Sequence, residues 1–203
     1  HIQRDGFMCY WLTQTSPRVI EPNTIPDVTT QKLLNEFKTY KFDIHILDAT
    51  TNIGLPTITV VAIDRATVQP RMYTTAAAHT DLLSAIIDAL YEMLSLVGCF
   101  DEGGEVPMPL DFKAFLSTFG RSERIRHLHG EEMLKKVEWF WGGERIAFSE
   151  FNSDFPTISS DDSKNLAYIL GLLKQCGEGY NAYLYEAQSS VLKTLKYHSV
   201  RTI

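Results

Sequence analysis

The sequence is short of several things, and each shortage removes a class of function. No apolar run reaches the roughly 18 residues that a membrane-spanning helix needs, and no signal sequence is visible, so no membrane partner is expected. Cysteine is scarce. Cys9, Cys99 and Cys176 form an odd, widely spaced set of three without a C-x-x-C pair, which argues for reduced thiols in the cytoplasm and against a disulfide framework. Positive charge is in deficit: 19 Lys and Arg face 25 Asp and Glu, a net of −6, so no global attraction to nucleic acid or to an anionic membrane is expected. The two glycine pairs, Gly103-Gly104 and Gly142-Gly143, lack the downstream Lys-Ser/Thr of a P-loop and the spacing of a dinucleotide-binding turn. If nucleotide is used, neither device holds it. There is no internal repeat and no low-complexity tract.

What is present is a globular pattern: 203 residues with 44% hydrophobic content, enough to bury a real core in one or two domains. Its organising stretch is Tyr73 to Val97, a strand-like run leading into the most apolar helix pattern in the chain. Thr80 is the expected N-cap and Asp81 suits the first turn. Leu82, Leu83, Ile86, Ile87, Leu90, Met93, Leu94 and Val97 recur at three- and four-residue spacings and so share one face, with Gly98 as the stop. Ala76, Ala77 and Ala78 just before it permit close strand–helix packing or close approach of a ligand.

Upstream, His1 to Leu12 reads as the tail of a helix already in progress, and the chain as part of a longer protein. Thr13 to Pro26 is irregular, with three prolines. A helix capped by Thr29 or Thr30 runs to about Tyr40. Phe42 to Leu47 alternates as a strand, with Phe42, Ile44 and Ile46 on one face and Asp43, His45 and Leu47 on the other. Pro56 to Ile63 is β-branched, and Val68 to Thr75 is a third strand that Pro70 puts at an edge or a beginning. Downstream, Asp101 to Pro109 reads as a mobile loop, followed by helices over Leu110 to Phe119 and Glu131 to Trp141. A helix capped by Ser159 or Ser160 turns Leu166, Ile169, Leu170 and Leu173 inward before Gly177. Tyr180 to Glu186 is a strand, Val191 to Tyr197 a short helix, and Val200 to Ile203 the start of a strand. The fold class expected is α/β or α+β, a mostly antiparallel or mixed sheet with packed helices.

No self-sufficient catalytic motif stands out, and no catalytic residue is assigned. His127 and His129 lie in RSERIRHLH, Arg121 to His129. That cluster suits a metal pair, a phosphate or acidic peptide, or simply a solvated loop. His45 and His79 are acid–base candidates or, more commonly, a packed and a capping histidine. Asp48 and Asp64 bracket a turn, where strand-end carboxylates serve sites or satisfy turn N–H groups.

Three segments together carry a family resemblance. Gln3-Arg4-Asp5-Gly6-Phe7-Met8 with Trp11-Leu12 is similar to an E/Q-R-D-A-F-M segment followed by W-L. Asp48 to Pro56, DATTNIGLP, resembles a D-x-T-x-D-x-G-I-P turn, and Ala76-Ala77-Ala78-His79 running to Ala89-Leu90-Tyr91-Glu92 resembles G-x-G-A-H followed by A-L-x-E. In this order they resemble the C-terminal half of YcaO proteins, and more narrowly the cyclodehydratase or docking component of streptolysin-type, bacteriocin-like azole-modified peptide biosynthesis. The resemblance implies that residues 1–203 are the C-terminal part of a YcaO domain whose N-terminal nucleotide-binding half precedes His1. It implies ATP and magnesium as cofactors, used to phosphorylate a backbone amide oxygen of a ribosomal precursor peptide so that a neighbouring Cys, Ser or Thr closes an azoline ring. It places Gln3 at a metal position and Gln3 with Arg4 at the nucleotide, a role that Arg's fixed fork of donors suits. The implied partners are the precursor peptide, a leader-binding protein and a flavin dehydrogenase, with a homodimer possible through apolar surface. Where many members carry x-x-Q and an arginine after A-L-x-E, this chain has Met93-Leu94-Ser95. That departure supports an alternative, a non-catalytic docking subunit of the same synthetase.

Overall fold

A computed structural model describes residues 4, 6–66, 68, 70–99, 130–156, 161–179, 181–187, 194 and 199–202, with the backbone alone given at 98, 99, 184–187 and 199–202. The chain forms two compact units, His1–Ile158 and Ser159–Ile203.

The first unit is built on a mixed sheet of five strands: β1 (Val19–Ile20), β2 (Phe42–Asp48), β3 (Thr57–Asp64), β4 (Arg71–Ala78) and β5 (Arg145–Ile146). Their spatial order is β4-β3-β2-β1-β5. All neighbours are antiparallel except β1 and β5, which run parallel and make the sheet mixed. The expected alternation in β2 holds. Ile44 and Ile46 face one apolar cluster with Val60 and Ala62 of β3 and Tyr73 of β4, while Leu47 faces the other with Val61 and Ile63. β4 begins only after Pro70 and runs through the alanines, later than the pattern suggested; among the described residues it lies at the sheet's edge.

Each face is covered by helices. On the first lie α2 (Val28–Thr39), α3 (Leu82–Cys99) and α5 (Phe148–Asn152), contributing Phe37, Leu82, Ile86, Leu90, Met93 and Phe151. On the second, α1 (Phe7–Thr13) and α4 (Glu131–Val137), which tightens into a 3-10 turn over Glu138–Trp141, bring Trp11, Met133, Leu134, Val137 and Phe140 together. Trp11 meets Phe140 edge-on at 5.0 Å and Trp139 at 5.5 Å.

The helix caps differ from expectation by one to three residues. Asp27, not Thr29 or Thr30, caps α2: its carboxylate accepts from the Thr30 N–H at 2.6 Å and the Thr30 hydroxyl at 2.9 Å, and these bonds hold its pKa below the ordinary value. Asp81 takes the place expected of Thr80, accepting from Ser84 N–H and Oγ at 2.8 and 2.7 Å. A carboxylate outcompetes a hydroxyl for an orphan helix N–H because its bond is charge-assisted. α3 continues past Gly98 to Cys99, and Leu94 is exposed instead of buried.

The second unit contains α6 (Asp162–Gln175), capped by Asp161 instead of Ser159 or Ser160, and an antiparallel pair, β6 (Leu184–Ala187) with β7 (Ser199–Thr202). α6 has no buried residue. Leu166 and Leu170, expected inward, are 58% and 43% exposed. The readings for 101–129 and for most of 191–197 lie outside the described residues.

Candidate functional site

The described part of the expected nucleotide segment is Arg4, which is helical and half-buried; Gln3 lies outside the described residues. Gly6 holds right-handed helical backbone, φ −60° and ψ −22°, and α1 then runs to Thr13 and is closed by Gln14 in the left-handed region. A guanidinium is the donor that suits a phosphate, and Arg4, which lies ahead of α1, is the described residue of the expected site that carries one. Among the described residues no group of three or more His, Cys, Asp or Glu is placed to hold a metal ion.

Beside α1 sits a polar cluster that the irregular reading of Thr13 to Pro26 missed. Asp48, at the end of β2, is buried, with a side chain 8% exposed. Its Oδ2 accepts from Arg18 Nε at 3.1 Å and Nη2 at 2.9 Å, and its Oδ1 from the Thr50 N–H at 2.9 Å. Arg18 also reaches Asp154 Oδ2 at 3.3 Å and lies 5.0 Å over the Phe151 ring. Tyr10 Oη donates to the Thr50 carbonyl at 3.0 Å, and Thr57 N–H donates to Thr50 Oγ1 at 3.2 Å. Burial, then the Asp48 charge, raises the Tyr10 phenol's pKa. Asp48 therefore satisfies a turn N–H, as strand-end carboxylates do, and binds a guanidinium besides. A signal was available: Arg18 is the one Lys or Arg between Arg4 and Lys32.

The other candidates resolve toward structural roles. His45 is stacked on Trp141, 5.7 Å between ring centroids at 27°. Burial lowers its pKa to about 4, against the pull of Asp43 and with the push of Arg145 and Arg65, so it is neutral at pH 7 and not an acid–base group there. His79 Nδ1 accepts the Asp81 N–H at 2.9 Å at the entrance to α3. Asp64 Oδ1 takes the Ala66 N–H at 2.8 Å, a turn bond. Gly143 is pressed against the Pro17 carbonyl, where a Cβ has no room, so that glycine serves chain packing and not phosphate. His127, His129 and the Arg121 to His129 cluster lie outside the described residues. Cys9 and Cys176 are free thiols.

Three comparisons bear on this arrangement. The family described as "YcaO cyclodehydratase, ATP- and Mg2+-binding" matches residues 1–203. Among solved structures, a heterocyclase in complex with substrate and cofactor superposes with TM-score 0.68 at 16% identity, over 99% of this chain and 24% of that one. The heterocyclase TruD superposes with TM-score 0.67 at 17% identity, over 100% of this chain and 25% of that one. The chain thus has their fold and spans about a quarter of their length. No curated protein matches the sequence.

Proposed function

Since the chain belongs to the YcaO family, matched along all of residues 1–203, we propose that it is the C-terminal part of an ATP-dependent cyclodehydratase acting on a ribosomal precursor peptide. The whole-length family match is the observation that carries this reading. In it, ATP with magnesium supplies the phosphoryl group that turns a backbone amide oxygen into a leaving group, so that a Cys, Ser or Thr side chain closes an azoline. This chain's part is to present Arg4, which lies ahead of α1, to the phosphates, with Gln3 beside the metal. A longer polypeptide supplies the remaining carboxylates. The precursor peptide, a leader-binding protein and a flavin dehydrogenase are the proposed partners, in the cytoplasm, in streptolysin-type chemistry.

The second reading is a docking subunit that binds partners without turnover. Met93-Leu94-Ser95 in place of the family's x-x-Q and arginine favours it. Calorimetry of magnesium-ATP binding to the full-length protein separates the two. The catalytic reading expects micromolar binding that Arg4→Ala weakens at least tenfold, as loss of a charge-assisted phosphate contact does. Absence of binding, with complex assembly intact, overturns it in favour of docking.

A further inference from the structure

Single apolar side chains on a surface are ordinary, and a contiguous row of them is not. α3 carries such a row outside the core. Leu82, Ala85, Ile86, Ala89, Leu90 and Met93 are the buried side of the helix. Ile87, Tyr91 and Leu94 belong to neither apolar cluster, and Tyr91 and Leu94 are 53% and 41% exposed. At about 100° per residue, positions i, i+4 and i+7 lie within about 60° of one another, so these side chains form a stripe. Leu83, half-buried, extends it by a further turn. From Leu83 to Leu94 the stripe is about 16 Å long at about 1.5 Å per residue. α3 is thus apolar over more of its circumference than the sheet covers, the pattern of a helix with something packed on both sides.

One flank of the stripe is polar and carries charge of a single sign. Ser84, Asp88, Glu92 and Ser95 follow one another there at three- and four-residue spacings. The serine hydroxyls are spent locally: Ser84 Oγ donates to the Asp81 carboxylate at 2.7 Å and Ser95 Oγ to the Tyr91 carbonyl at 3.3 Å. Asp88 is exposed and makes no hydrogen bond or ion pair among the described residues. No Lys or Arg occurs between Arg71 and Lys113, so α3 supplies no counter-charge from its own length.

We propose that this face of α3 docks an amphipathic helix of a partner protein, one that lays apolar residues against Ile87, Tyr91 and Leu94 and a row of Lys or Arg along the Asp88 edge. Apolar anchors at i, i+4 and i+7 are how helices recognise one another in such contacts. Charge decides the occupant. A second copy of this chain, joined through the same face, brings the same acids and no cation, and like charges set against each other cost affinity. A basic helix gains from those acids in both encounter rate and register. Docking at this face does not require that the chain bind nucleotide.

The test uses the full-length protein and two fluorescein-labelled synthetic helices of about 18 residues, read by anisotropy. One is built of Leu and Lys with leucines at i, i+4 and i+7; the other has Glu in place of Lys. The Leu/Lys helix is expected to bind about tenfold or more tighter than the Leu/Glu helix, with the preference shrinking as salt rises. Leu94→Ser weakens the Leu/Lys helix about fivefold through lost apolar contact. Asp88→Lys weakens it by a similar factor and strengthens the Leu/Glu helix. Both positions are exposed, so both variants keep the wild-type far-ultraviolet circular dichroism, and Tyr91→Ser replaces Leu94→Ser if that variant does not fold. Equal binding of the two helices, or binding that none of these substitutions moves, overturns the proposal. So does a dimer in sedimentation equilibrium that Leu94→Ser dissolves, since the face then belongs to a second copy. A Leu94→Cys thiol that reacts with maleimide only after denaturation overturns it as well, because the longer polypeptide then covers the face itself.

Discussion

His45 and Thr59 show how single residues on the α1-covered face trade solvation against packing. His45 is held neutral by burial, with Asp43 pulling its pKa up and Arg145 and Arg65 pushing it down to about 4. The unfolded chain titrates near 6.5, so between these values the unfolded state binds the extra proton. Stability is therefore full above pH 6.5 and is lost as pH falls toward 4, by at most about 3 kcal/mol. Urea midpoints at pH 7 and pH 4.5 should show this loss in the wild type and not in His45→Phe, which keeps a ring on Trp141. Thr59 is wholly buried and its hydroxyl has no partner among the described residues. Such a group costs about 1–3 kcal/mol. Thr59→Val, which keeps the shape and removes the orphan oxygen, should raise the unfolding free energy by about 1 kcal/mol and the denaturation midpoint with it. An unchanged or lowered midpoint would mean that the hydroxyl is satisfied. At this scale the sequence was half legible. The turn roles of Asp48 and Asp64 follow from strand-end chemistry, whereas the Arg18 pairing depends on two segments 30 residues apart meeting, which no local pattern encodes.

The elements were legible where they are long. The faces of β2 and α3 follow from alternation and helical spacing, and β3, buried along both faces, shows itself by its β-branched run. β1 and β5 were not seen, because two residues each, Val19–Ile20 and Arg145–Ile146, cannot establish a period. Their pairing depends on chain crossing. Val19 N–H donates to the Glu144 carbonyl at 2.7 Å and Glu21 N–H to the Ile146 carbonyl at 2.9 Å, which brings the loop before β5 onto Pro17. Gly143 makes that approach possible, since a Cβ there would collide with the Pro17 carbonyl oxygen. Gly143→Ala should therefore separate the two backbones and weaken the β1–β5 pair, destabilising the first unit by about 2 kcal/mol or more, as overpacking of a tight contact does. Gly142→Ala is the control. Its Cβ would lie 3.2 Å from the Glu138 carbonyl oxygen, a contact that a few tenths of an ångström of movement relieves. Thermal melts that rank the two variants equally would remove the close-approach account of this glycine pair.

At the scale of the whole molecule, both apolar clusters draw all their members from the first unit. Among the described residues the second unit has α6, a 14-residue helix with no buried residue, and one two-stranded pair. A helix of that length is marginal in water without packing, and so is an isolated strand pair. The inward apolar stripe that Leu166, Ile169, Leu170 and Leu173 suggest is the right periodicity for a packed helix, yet periodicity says which side is apolar and not what covers it. The two units should therefore differ in stability, and the tryptophans allow them to be watched separately. All three, Trp11, Trp139 and Trp141, lie in the first unit, so fluorescence reports the sheet and its helices alone, whereas far-ultraviolet circular dichroism also counts α6. In urea, the dichroism should lose a fraction of its helical signal before the fluorescence moves, and the remainder should then fall together with it. Two coincident curves would instead make the chain a single cooperative unit, with the second unit's stability drawn from the first.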